Sequence, residues 1–515
     1  MKKITIVGGG TAGWISAGYL AKVLDATSPK GVSITLIESS EIGILGVGEG
    51  TFPSIRRTLR RMGVSESALL RECDATLKQG AKFVSWRYPP GAEPGPALSH
   101  YMHPFAVTNT ADGLDLLPYW LLGVGGKGNW DEANTVQKHV SDASRAAKRI
   151  IDPEYMGPLN YAYHFDAAKL AQFLRRHATG LGVHHLTDTV DEVMLDERGY
   201  ICGLRTREHG ILDADLYIDC TGFRAELIGK ALGVPFKSCR DVLFCDSALA
   251  IQVPYPAADS PIPSYTVSTA HEAGWTWDIG LHHRRGIGHV YSSDHTSDDR
   301  AESVLRDYIG PAAANLNARK FKFTAGFRET NWVKNCVAIG LSSGFFEPLE
   351  ATGIIFAEVA AVMLANLFPW GGHYEVAARQ FNDMMLRRYH RALDFIKLHY
   401  CITKRRDTSF WVDNVMETSI PDSLKDLLER WRNRPPEPID IDPNIDIFPA
   451  ESWQYVLYGM GYETDLSPKA NIFKYYEEAR GAFADINRQA EYALSVMPTN
   501  RDLINQIMAR DFKAA

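Results

Sequence analysis

Cysteine is scarce, and its arrangement excludes two classes of protein. The seven cysteines, at 73, 202, 220, 239, 245, 336 and 401, are odd in number and form no Cys-x-x-Cys pair. They give no basis for a disulfide framework or a thiolate metal site and read as reduced, mostly buried residues of a cytoplasmic protein. Positive charge is not in excess either. The 55 Lys and Arg are set against 62 Asp and Glu, a net charge of −7, which leaves no electrostatic footprint for nucleic acid or an anionic membrane. No apolar run approaches membrane-spanning length, and no repeat or low-complexity tract is visible. Met1-Lys2-Lys3 with apolar residues behind it has the look of a signal peptide, but the glycine-rich turn that follows explains the stretch better.

What is present starts at that turn. Ile4-Thr5-Ile6-Val7 is a β-branched run, followed by Gly8-Gly9-Gly10-Thr11-Ala12-Gly13 and an amphipathic helix pattern on Ile15, Tyr19, Leu20 and Val23. A second strand pattern over residues 33–37 ends in Glu38. Strand, G-x-G-x-x-G turn, helix, strand and acid is the order of a dinucleotide-binding βαβ unit. Gly8 permits the tight turn, Gly10 lets the backbone approach a pyrophosphate, and Gly13 lets helix and strand pack closely. The helix N-terminus offers free N–H groups and a positive dipole end to phosphates. Glu38 is placed for a ribose, and with no nearby Arg to receive a 2′-phosphate the ligand is FAD or NAD. Only one such fingerprint occurs in the chain. A second Gly-rich βαβ turn for NADPH is missing, which favours a flavin delivered already reduced.

With 515 residues, two closely packed lobes are expected. Residues 43–51 form a glycine-dense loop of the kind that lets backbone approach a planar ligand. Residues 65–77 predict a Ser-capped helix ending beside Lys78, and 82–88 a strand. Residues 89–97 read as loop, 100–105 as a cluster of His and aromatic residues, and 123–128 as flexible. Tyr163-His164-Phe165-Asp166 caps a predicted helix over 167–179. Strands are expected over 183–195, 203–206, 216–220 and 336–339, the last two running into Thr221-Gly222 and Gly340. Such strand ends close on a nucleotide from the carboxyl edge of a sheet. Long helices are predicted over 353–367 and 375–399, an extended connection over 434–449, and helices again from Ser452, notably over 472–497. The fold class is therefore α/β: a Rossmann-like lobe over 1–350, with insertions carrying part of a substrate pocket, and a mostly helical lobe over 351–515, packed as one compact unit.

Two further stretches carry chemistry. In Gly274-Trp275-Thr276-Trp277-Asp278-Ile279 the tryptophans alternate, so on an extended segment they face the same way and make an aromatic wall. Alone, such a pair is ordinary core. In Glu347-Pro348-Leu349-Glu350-Ala351-Thr352-Gly353-Ile354-Ile355, free N–H groups at Thr352 and Gly353 near a helix start suit a small anion, although an ordinary helix cap has the same pattern.

Together these stretches resemble the flavin-dependent halogenases, in particular the tryptophan-halogenase family. The resemblance runs from Gly8–Gly13 through Gly46-Val47-Gly48-Glu49-Gly50-Thr51, Lys78 and His103-Pro104-Phe105 to the Gly-Trp-x-Trp-x-Ile segment, Glu350-Ala351-Thr352-Gly353 and His399. The paired tryptophans and the Glu-Pro-Leu-Glu-x-Thr-Gly run are specific to that family; the glycine fingerprint is not. The resemblance implies an FAD lobe of the flavin-monooxygenase type that takes FADH2 from a separate flavin reductase and uses O2 to oxidise chloride or bromide to hypohalite. It implies FAD contacts at Gly8, Gly10, Thr11, Ala12, Gly13, Glu38, Gly48, Val190, Leu341 and Ile354, with halide at the backbone of Thr352 and Gly353. Lys78 would hold the hypohalite or become an N-haloamine, and Glu350 would stabilise the cationic arene and take its proton. His103, Phe105 and His399 would line the arene pocket, and Trp275 and Trp277 would keep organic substrate from the flavin. Lys fits its part because holding electrophilic halogen needs a neutral amine or a close N–H donor, and the pKa of Lys falls readily on burial.

The sequence departs from the family in three places. Gly280 stands where a Pro is usual after the tryptophan segment, and Gly340-Leu341 where Gly-Asp is usual. Before Ser452, the paired tyrosines and acid that clamp free tryptophan are replaced by Pro438-Ile439-Asp440-Ile441-Asp442-Pro443. The expected acceptor is accordingly an indole or larger aromatic small molecule, bound in preference to free tryptophan. The expected partners are the reductase and that substrate, with no nucleic acid, no membrane and room for a homodimer; no metal is expected. The alternatives are a single-component FAD monooxygenase using NAD(P)H directly, and a flavin-binding scaffold without chemistry.

Overall fold

The computed structural model describes all residues except 1, 42, 44–47, 96–97, 107–112, 127 and 514–515. Of the glycine-dense loop, Ile44 to Val47 therefore lie outside the described residues. The chain divides into two compact units, each assembled from three segments: 1–75, 165–240 and 323–390 in the first, and 76–164, 241–322 and 391–515 in the second. The sequence pattern suggested a single boundary near residue 350. Instead, helix Thr352–Asn366 belongs to the first unit, because its apolar surface packs on helices Thr11–Val23 and Ser54–Met62.

The first unit is built on a six-stranded sheet in the order Trp332–Val333, Cys336–Ala338, Leu216–Asp219, Lys2–Val7, Val32–Glu38 and His184–Thr187. All neighbours pair in parallel except the first two strands. Parallel strands are covered on both faces, which is why Ile4, Ile6, Ile34, Leu36, Tyr217, Ile218 and Val337 are all buried. The helix Thr11–Val23 inserts Trp14, Ala17 and Leu20 into this core and packs against helices Ala167–Gly180 and Thr352–Asn366. Asp166 caps the helix after it, as predicted, accepting from the backbone N–H groups of Ala168 and Lys169.

The second unit carries a seven-stranded sheet in the order Arg319–Lys322, Ser247–Pro254, Arg284–Tyr291, Gly274–Gly280, Thr266–Ala270, Gly80–Val84 and His100–Pro104. It is antiparallel throughout except between Thr266–Ala270 and Gly80–Val84. Helix Ala450–Gly459 packs on strand His100–Pro104, and Tyr476–Val496 on Val136–Asp142.

Two expectations need correction. The helix predicted over 65–77 stops early: Ser65 caps it as expected, but it spans Glu66–Glu72, and Asp74 takes a left-handed φ of 51° that ends it. Thr76–Lys78 is then a strand, paired with Ala162–Asp166, so Lys78 ends a strand and not a helix. Second, Leu349–Asn366 is long and apolar enough by composition to cross a membrane, although no run seemed so from the sequence. Most of it is buried inside the first unit, as a core helix. None of the seven cysteines, all among the described residues, forms a disulfide, and Cys202 is the exposed one.

Candidate functional site

In the first unit, the glycine turn takes the form that its residues dictate. Gly8 has φ +115°, and a Cβ there would sit 2.1 Å from the Cys220 carbonyl oxygen. A Cβ on Gly13 would sit 1.9 Å from the Gly8 carbonyl oxygen, so the helix approaches the strand only because neither residue has a side chain. Gly10 differs, since a Cβ there would meet no described atom within 4 Å. Gly10 is extended at the head of helix Thr11–Val23, whose first turn holds no acid and shows no side-chain cap among the described residues. The N–H groups at this end, with Thr11 and Ala12 in the first turn, are therefore left to a ligand.

Around this turn the other expected residues of the first unit gather. A Cβ on Gly340, φ +79°, would come 2.6 Å from the Ala12 Cβ, and Leu341 follows in the short turn Gly340–Ser342. Glu38 ends its strand half-buried, with Oε2 3.1 Å from His185 Nε2; His185 stands edge-on to Trp14 at 5.2 Å. No pattern in the sequence pointed to His185. Val190 packs on the apolar cluster that contains Val7 and Ile37, Gly48 is buried, and Ile354 is buried in its helix. An open cradle at Gly10, an uncapped helix end and a carboxylate at the neighbouring strand end are features that fit the diphosphate and ribose of FAD.

The Glu347–Gly353 run is strained. Glu350 and Ala351 are consecutive left-handed residues, with φ 59° and 52°, and neither is glycine. Each such residue costs on the order of 1–3 kcal/mol and persists where the surroundings impose it. Ala351 N–H donates to Pro348 O at 3.0 Å, and the helix begins at Thr352 with no side-chain cap among the described residues and no acid in its first turn. Turns of this kind aim successive N–H groups at one point, the usual form of a small-anion site. Glu350 and Thr352 are buried, and around Gly353 a Cβ would meet only the Phe345 ring, at 3.8 Å. Further along this helix, buried Glu358 accepts from Thr58 Oγ1 at 2.8 Å and Ser54 Oγ at 3.2 Å, and burial pushes its carboxyl up to about 7. The only hint of it in the sequence is a single acid in an otherwise apolar helix.

In the second unit, Lys78 is 2% exposed, with its Nζ 5.3 Å from the centre of the Phe105 ring. Gln79 fixes the two together: its N–H donates to Ser264 O at 2.6 Å, and its carbonyl accepts from Phe105 N–H at 2.8 Å. His103 Nε2 lies 2.9 Å from Ser452 Oγ, and its ring is 5.8 Å from Phe395. His399 donates through Nδ1 to Phe395 O at 2.9 Å, since a carbonyl only accepts. Phe395 thus links His103 to His399. Trp86 continues the assembly, 6.1 Å from His399 and 6.2 Å from Trp275, and Trp275 is 6.4 Å from Trp277. The two tryptophans share one face of strand Gly274–Gly280, as their alternation required, and both are buried. Trp86 and Phe395 escaped sequence reading, although Phe395 and His399 stand one helical turn apart.

The sequence matches the family model described as tryptophan halogenase over residues 3–473. Tryptophan 6-halogenase SttH from Streptomyces toxytricini is 39% identical over 480 residues, 89% of each chain. The crystal structure of a tryptophan halogenase from Shewanella frigidimarina superposes with a TM-score of 0.95 at 41% identity, covering 100% of this chain and 99% of that one. Tar14, a tryptophan C-6 flavin-dependent halogenase from taromycin biosynthesis, gives 0.92 at 38% identity, covering 99% and 100%.

Proposed function

The chain belongs to the tryptophan halogenase family and is a flavin-dependent halogenase, and from that premise we propose that it is the halogenating half of a two-component system acting on an indole-type arene. A separate flavin reductase delivers FADH2, held by the Gly8–Gly13 turn, Glu38, Gly48, Val190, Leu341 and Ile354. Held there, FADH2 would supply the two electrons that activate O2, the oxidant, so that FADH2, O2, halide and a proton become FAD, hypohalous acid and water.

The chain's own residues do the rest. Backbone N–H groups at Thr352 and Gly353 receive the halide, at a helix N-terminus whose first turn holds no acid. Lys78 holds the electrophile, as a hydrogen-bonded hypohalous acid or as an N-haloamine, so that it reaches the arene without escaping to water. His103, Phe105, His399, Trp275 and Trp277 supply the aromatic surroundings that select a flat, electron-rich ring. Substitution exchanges an arene hydrogen for halogen and yields water, and Glu350 accepts the arene proton.

The observation that carries this reading is the Lys78 amine, buried against Phe105. Lysine is almost never fully buried without a reason.

The acceptor is proposed to be an indole or larger arene in preference to free tryptophan. In the stretch where the family clamps the amino acid, Asp440 already accepts from both Arg434 Nη1 and Nη2, at 2.7 and 2.6 Å, and Asp446 from Arg391 Nε at 2.5 Å. Ile439, just before Asp440, is exposed. Neither acid is left for a substrate ammonium. The deciding experiment combines protein, FAD, a flavin reductase, NADH and bromide or chloride with an aromatic library, read by mass spectrometry. Halogen mass shifts on indoles and little on free tryptophan are expected. Efficient turnover of free tryptophan overturns the substrate reading, and bleaching of bound FAD by NAD(P)H without a reductase overturns the two-component reading.

A further inference from the structure

Two neighbours fix where the Glu38 carboxyl stands. Strand His184–Thr187 runs parallel to Val32–Glu38, with His185 in register with Leu36 and Thr187 with Glu38. Glu38 and His185 are therefore diagonal neighbours on one face of the pair. A carboxylate only accepts, so His185 donates to it through Nε2, 3.1 Å from Oε2. The second neighbour is the glycine turn. A Cβ on Gly9 would lie 2.2 Å from the Glu38 Cδ and 2.6 Å from its Oε2, so the carboxyl rests against bare backbone. The dinucleotide fingerprint asks for glycine at positions 8, 10 and 13 and leaves position 9 open. Here Gly9 has a reason of its own, because any side chain would take the place of the acid.

His185 is itself held. Its ring stands edge-on to Trp14, and Trp14 is fully buried in the helix that follows the turn. As a source of stability the contact with Glu38 counts for little, since the two side chains are 19% and 22% exposed and water screens such pairs. Its consequence is placement. A glutamate that a ligand must first immobilise loses rotamer entropy on binding, and one already clamped has lost it beforehand. With Oε2 on His185, Oε1 remains to accept from a ligand hydroxyl.

We propose that His185 is a positioning residue for FAD: it clamps one oxygen of Glu38 beside Gly9 and so sets the other where the adenosine ribose of FAD donates its hydroxyls. This rests on the assignment of FAD to the Gly8–Gly13 turn and Glu38 above. The chain Trp14–His185–Glu38 carries the order of the packed core out to the carboxylate that meets the ligand.

The test measures equilibrium binding of two oxidised ligands to the full protein: FAD, and an FAD analogue that lacks the 2′- and 3′-hydroxyls of its adenosine ribose. The unsubstituted protein is expected to prefer FAD about tenfold or more, the scale of a hydrogen bond to a charged group. His185→Phe keeps a ring against Trp14 but removes the donor, and the preference falls to about twofold or less. His185→Gln loses the ring but keeps an N–H at similar reach, and the preference stays above about fivefold. Loss of packing alone would weaken both ligands equally and leave the ratio unmoved. That result overturns the proposal, as does a Gln variant that behaves like the Phe variant. Glu38→Ala run in parallel separates the two readings. If it shows the same preference as the unsubstituted protein, the ribose role of Glu38 fails and His185 with it. If Glu38→Ala loses the preference while His185→Phe keeps it, only the His185 inference fails.

Discussion

Trp277 occupies the space that a side chain on Gly288 would need. The two residues are directly opposed in neighbouring strands, and a Cβ on Gly288 would lie 2.1 Å from the indole ring. Half of the tryptophan wall is therefore placed by a glycine eleven positions away in the next strand, outside the Gly-Trp-x-Trp-x-Ile segment. Gly288→Ala is expected to displace the indole and destabilise the protein by about 1–3 kcal/mol, the cost of overpacking. Tryptophan fluorescence and denaturant unfolding check it; an unshifted emission spectrum with unchanged stability would show that the wall adjusts freely.

Lys78→Ala is expected to bind FAD with unaltered affinity and to lose arene halogenation by about 100-fold or more, the scale of a catalytic group that acts on the reacting atoms. Flavin titration and product mass spectrometry together measure this. Turnover at the level of the unsubstituted protein would remove Lys78 from the chemistry.

The glycines of the first turn should separate by function. Gly13→Ala drives a Cβ into the Gly8 carbonyl at 1.9 Å and is expected to destabilise or unfold the first unit. Gly10→Ala meets only open space, so the fold should change by less than about 1 kcal/mol while FAD binding weakens, because the new methyl fills the cradle. Thermal melts without FAD and flavin titration read the two effects. Equal losses of stability in both variants would refute the distinction.

Glu358 predicts how stability depends on pH. Its carboxyl rises from 4.5 to about 7 in the fold, mainly through burial, so between those values the folded state holds a proton that the unfolded state has lost. Stability is then full below about pH 4.5, falls as pH rises toward 7 and levels off above, by up to roughly 3 kcal/mol from this group. Glu358→Gln keeps a partner for Thr58 and Ser54 and should flatten part of the slope, leaving the share of Asp394 and Glu49, both also raised to about 7 by burial. Denaturant unfolding of both proteins from pH 5 to pH 8 tests it; parallel curves would rule Glu358 out as a source.

How far the sequence could be read depended on the range of the interactions. The βαβ order, the helices near 352–366 and 374–401, and the common face of Trp275 and Trp277 were legible because each rests on residues a few positions apart. The strand at Lys78 was not, because the helical pattern continued past the point where Asp74 turns left-handed. What ended it was pairing with residues 162–164, far along the chain. Glu38 was found by spacing, but its neighbour His185 comes from a strand about 150 residues away.

By itself, then, the sequence determined the local machinery: a glycine turn that only glycine can make, the helix that starts near Thr352, and aromatic residues alternating on a strand. Steric limits and backbone periodicity act between near neighbours, and no tertiary contact can reverse them at these positions. The tertiary structure alone decided burial and partnership. It closed Lys78 against Phe105, sank Glu358 between two helices and cleared room for Trp277. Desolvation and hydrogen bonding depend on atoms brought from distant segments, and those the linear order does not name.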